Sequence, residues 1–156
     1  MINGRLLKQY DIPLALGITH LTTAAFLLNS GEFLPSWVTA YSYFTALTCI
    51  VFCLIFNPHK GFLAGLALAF AMTVIIRAIN MSLVSLHGPG VDYLLGLMDA
   101  VVGTVAVLIY SKVKPSQTIE NGFALGCTGA LGGYILSMFF ACNTVLYCGP
   151  AFSWGF

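Results

Sequence analysis

The sequence predicts an all-α integral membrane protein: a bundle of five transmembrane helices, with a cytoplasmic N-terminus and the C-terminus outside. Three observations carry this. Of the 156 residues, 59% are hydrophobic and 7% charged, and mean hydropathy is +0.94; a soluble domain is about 25% charged, so this chain has too little charge to clothe a water-facing surface. The apolar residues fall into five runs, each close to the about 20 residues a helix needs to cross the hydrocarbon core. Every lysine and arginine except Arg77 precedes the first run or lies in the second or fourth connection, which the positive-inside rule places on the cytoplasmic side.

The spans follow in order. Span one covers about 12–29, with Pro13 at the start, where its missing N–H costs nothing. Arg5 and Lys8 precede it as in a signal peptide, but the run is long and no small-residue cleavage site follows, so it reads as a retained helix. Span two covers about 36–57, with Trp37, Tyr41 and Tyr43 as interfacial anchors. Spans three and four, about 61–86 and 91–111, flank the tight loop His87-Gly88-Pro89-Gly90. Span five covers about 122–142, and an aromatic tail, 143–156, contains Phe152, Trp154 and Phe156. Pro13, Pro35, Pro58, Pro89, Pro115 and Pro150 all fall at or beyond these proposed ends, as expected of a residue that breaks helix interiors. The whole chain, 1–156, reads as one polytopic membrane domain without an internal repeat.

Several function classes are set aside. A net charge of +1 gives no case for nucleic-acid binding. The sequence has no nucleophile elbow, phosphate loop or H-E-x-x-H, so no catalytic residue, cofactor or metal is expected. Cys49 and Cys53, four apart on one helix face, read as small apolar packing residues.

The lead to function is charge inside the spans. Arg77 and Asp99 lie in spans three and four, and a hairpin centred on the tight loop sets opposite each other positions that sum to 176, as these two do. Both lie about 13 Å from that loop, and His20 is about 13 Å from the corresponding end of span one. Thr73, Arg77 and Asn80 share a face of span three. On the same register Gly103 faces Thr73 and Gly96 faces Asn80. His20, Thr73, Arg77, Asn80 and Asp99 thus form a candidate intramembrane polar layer, with an Arg77–Asp99 salt bridge at its centre. An isolated arginine or aspartate at the centre of a span costs about 2.5–3.5 kcal/mol on insertion scales, so such groups tend to pair or to line a pathway. Two readings stay open: a clip that fixes hairpin register, and a route for protons, ions or a small solute. The apolar stretches Gly61–Met72 and Val105–Ile109 weigh against a continuous wet pore.

Span five carries Gly122, Gly126, Gly129 and Gly133 on one face. Such a seam lets helices approach closely in lipid, either within the protomer or against a second chain. Cys142 and Cys148 form a candidate disulfide pinning the tail.

Together these features predict a small channel or transport component. The alternatives are a non-catalytic structural or assembly subunit of a larger membrane complex, and a holin-like oligomeric pore. The expected partners are the lipid bilayer and either further copies or other membrane subunits. The small size and the charge asymmetry point to a bacterial inner membrane.

Overall fold

The computed structural model describes residues 4–28, 36–83, 91–114 and 118–144. These form five helices: α1 (Gly4–Leu28), α2 (Ser36–Ile55), α3 (Phe62–Leu83), α4 (Val91–Val113) and α5 (Ile119–Thr144). All five are long and apolar enough to cross a membrane, which makes this an integral membrane protein. The described residues contain no strand.

Helix ends follow local chemistry. Asn57 takes a left-handed conformation (φ 52°) directly after α2, and its N–H closes on the Leu54 carbonyl at 3.1 Å; asparagine tolerates this stop better than most residues, and Pro58 follows. Thr118 caps α5, its hydroxyl accepting from the Asn121 N–H at 3.3 Å. α1 departs from expectation. It begins at Gly4, so Pro13 lies inside the helix rather than at its start.

The reason lies in the next contact. The residues before α3, His59-Lys60-Gly61, supply no capping side chain, and α1 provides one instead. Asp11 is buried, and its Oδ1 and Oδ2 accept from the N–H groups of Ala64 (3.0 Å) and Leu63 (3.3 Å). A carboxylate at a helix N-terminus satisfies orphan donors and complements the dipole. This contact ties the turn of α1 just ahead of Pro13 to the bundle, and the helix runs through the proline.

α3 is the most enclosed helix. It packs on α1, α2 and α5, while α5 packs most extensively on α4. The α3–α4 hairpin predicted from the tight loop is therefore not the main pairing: α3 and α4 each pack chiefly against α5. The glycines explain why. A Cβ on Gly126 would land on the Phe62 carbonyl oxygen of α3, and one on Gly133 would land on the Asp99 carbonyl oxygen of α4. The partner helices reciprocate with Gly65 against Phe123 and Gly103 against Gly129. Small residues on both sides let the backbones touch, and that approach outcompetes the sequence-adjacent pairing.

The end carrying the α2–α3 and α4–α5 connections is cross-linked by hydrogen bonds. His59 Nε2 donates to the Ser111 carbonyl at 2.9 Å, and Lys112 Nζ donates to the Asn57 carbonyl at 3.2 Å. Gly61, with φ 83°, passes so close to Ile119 that a side chain there would be obstructed as well as strained.

Candidate functional site: dispersed intramembrane polar groups

Three members of the expected polar layer make separate hydrogen bonds: His20 to Leu16 and Tyr43, Thr73 to Phe70, and Asp99 to Ser137. His20 is exposed on α1 and turns toward α2. Its Nδ1 donates to the Leu16 carbonyl at 2.7 Å, which leaves Nε2 as the acceptor for the Tyr43 hydroxyl at 3.0 Å. The two rings meet edge to face at 5.4 Å. Tyr43, expected as an interfacial anchor, is thus the partner of the histidine.

Arg77 is buried, 6% exposed, on α3. Asp99 is exposed on α4 and accepts a hydrogen bond from the Ser137 hydroxyl of α5. Arg77 and Asp99 make no salt bridge with each other, which corrects the expected clip. The physical cause is α5, which lies against α4 at this level with Gly133 on the Asp99 backbone and Ser137 on its carboxylate. Thr73 is fully buried and donates to the Phe70 carbonyl at 2.8 Å. Asn80 belongs to α3, but its side chain lies outside the described residues, as do the side chain of Cys142 and all of Cys148. The seam residue Gly122 packs on His59 and Lys60 just before α3, Gly126 on the first turns of α3, and Gly129 and Gly133 on α4.

Two further features were not singled out from the sequence. One is a cavity of about 20 Å³ among α1, α2 and α3, lined by Thr19, Thr22, Thr23, Thr39, Ser42 and Tyr43 together with apolar residues of α3. Thr19, Thr23 and Ser42 donate to the carbonyls of Ala15, Thr19 and Val38, each four residues back. A hydroxyl whose hydrogen is committed in this way turns only lone pairs to the cavity. Thr39 is 2% exposed, and its Oγ1 has no hydrogen-bond partner, so its hydroxyl can still donate inward. This volume suffices for a water molecule, which needs about 10–15 Å³. The signal in the sequence is the run of threonines on α1 opposite Thr39 and Ser42.

The other is an apolar groove of about 440 Å³ between α2 and α4, with Cys49, Cys53 and Thr104 among its lining residues. Thr48 and Thr104 donate to their own helices at 2.8 and 2.7 Å, so the groove offers little to a polar ligand. Both cysteines are buried free thiols, and no cluster of three or more metal-ligating residues occurs among the described residues.

Ser137, the partner of Asp99, was not among the residues expected from the sequence. It stands four residues beyond Gly133 and so continues the glycine face, which is the signal that locates it. No family model matches the chain, and no curated protein or solved structure is significantly similar to it.

Proposed function

We propose that this protein is a structural or assembly subunit of a larger complex in a membrane, with its buried polar groups holding the bundle and one exposed carboxylate serving contact with a partner. The observation that carries this reading is the placement of Asp99. It lies within a span yet on the outside of the bundle, where a carboxylate faces hydrocarbon at considerable cost unless another group covers it. The glycine seam is consumed within the protomer, so it is not the partner surface.

The orientation belongs to the same proposal. Lys60, Lys112 and Lys114 lie in or beside the connections at one end of the bundle, which supports that end, and the N-terminus with it, as cytoplasmic. A bacterial inner membrane fits this asymmetry. The test is sedimentation of the chain extracted gently from its native membrane. A particle containing other chains is expected; a protomer or a homo-oligomer alone contradicts the reading.

A transport component is the second reading, favoured by the hydroxyl-lined cavity and the inward donor of Thr39. Purified protein in liposomes should then carry proton or ion flux that Thr39→Val abolishes.

A further inference from the structure

Among the carboxylates whose side chains are described, Asp99 is the one that the fold leaves unexplained. Asp11 is satisfied by the first turn of α3, and Glu120 sits in the first turn of α5, where negative charge suits the helix dipole. Asp99 has neither excuse. It lies eight residues from the start of α4, about 12 Å along the axis, too deep for so short a side chain to reach the headgroups. Leu95, Met98 and Val102, at helical spacing on the same face, are 41%, 61% and 63% exposed, and Leu136 and Phe140 of α5 stand beside Ser137 at 59% and 58%. The result is an apolar face with one carboxylate, already oriented by a hydroxyl.

The Ser137 hydroxyl supplies one donor, whereas an ionised carboxylate has about four acceptor sites. The remainder calls for a donor, and in hydrocarbon a cationic one gives the strongest complement. A second copy of this chain does not supply it. Its Arg77 is buried in its own protomer, both ring nitrogens of its His20 are engaged by Leu16 and Tyr43, and Arg5, Lys8, Lys60, Lys112 and Lys114 lie at the opposite end of the bundle.

We infer that the face formed by Asp99, Ser137 and their apolar neighbours binds a membrane-spanning helix of a different protein that carries a lysine or arginine at the depth of Asp99. This rests on the assembly reading above and names the surface and the chemistry of the partner. The apolar residues pack along the foreign helix, and the carboxylate fixes its register and rotation.

The test places a photoreactive benzoylphenylalanine at Met98 or Val102 of the full chain in native membranes, with Leu21 and Ile55, exposed on α1 and α2, as control positions. The expected result is an adduct at 98 and 102 with a peptide of another chain whose span contains lysine or arginine. Asp99→Asn lowers the adduct yield by about tenfold or more, as loss of a buried charge pair implies. Val102→Trp, read at the 98 position, lowers it too while leaving Asp99 in place, which decides the matter if the Asn variant folds poorly. Adducts with lipid alone, adducts with a second copy, or yields unchanged in both variants overturn the inference. A different chain captured only at the control positions leaves the assembly reading standing and sinks this one; lipid adducts at every position sink both.

Discussion

Asp11 of α1 accepts a hydrogen bond from the backbone N–H of Ala64 at 3.0 Å, so a helix 53 residues distant in the chain caps the first turn of α3. Asp11→Ala leaves two buried donors without their acceptor and should destabilise the protein by about 1–3 kcal/mol. Asp11→Asn, which keeps one acceptor oxygen, should cost less. Thermal unfolding in detergent micelles measures both, and equal stability of the alanine variant would remove the cap from the account of α3.

Glycine substitutions separate crowded from open positions. At Gly133 a methyl group meets the Asp99 carbonyl, whereas at Gly132 nothing lies within 4 Å. Gly133→Ala should destabilise by about 1–3 kcal/mol through overpacking. Gly132→Ala should be neutral, or stabilising by up to about 1 kcal/mol from helix propensity. Equal effects at these adjacent positions would contradict the helix contacts described.

These contacts also show what was legible in advance. Five helices could be read because hydropathy and proline placement act locally, and each end fell within a few residues of the observed one except that of α1. Helix neighbours could not be read the same way. The hairpin register assumed that α3 and α4 pack together because a short loop joins them, and the coincidence of Arg77 with Asp99 made the assumption attractive. The competing signal was present: Gly65 on α3 and Gly103 on α4 are the complements of the α5 seam, and Ser137 extends that seam to the carboxylate. Asp11 escaped notice because a cap supplied from another helix has no local sequence signature.

Charge reversal tests the corrected pairing. Because Arg77 and Asp99 do not bridge, the double exchange Arg77→Asp/Asp99→Arg should be no better tolerated than the single changes. Each single substitution, and their combination, should be compared by protein level and melting temperature. Rescue by the exchange would restore the clip.

The His20–Tyr43 contact is exposed on α1 and half-buried on α2. A double-mutant cycle with His20→Phe and Tyr43→Phe should give a coupling of about 0.5–1.5 kcal/mol, the net worth of an ordinary hydrogen bond. A coupling near zero would mean that the pair does not hold α1 to α2.

The central claim is that Asp99 faces a partner rather than a pore. The most direct test is native mass measurement on particles released gently from the native membrane, wild type beside Asp99→Asn. The expected wild-type mass exceeds the 16.7 kDa protomer by that of at least one different chain, and the substitution releases the protomer from it. A particle of one protomer, or of a whole number of protomers, in wild type and variant alike would contradict the claim.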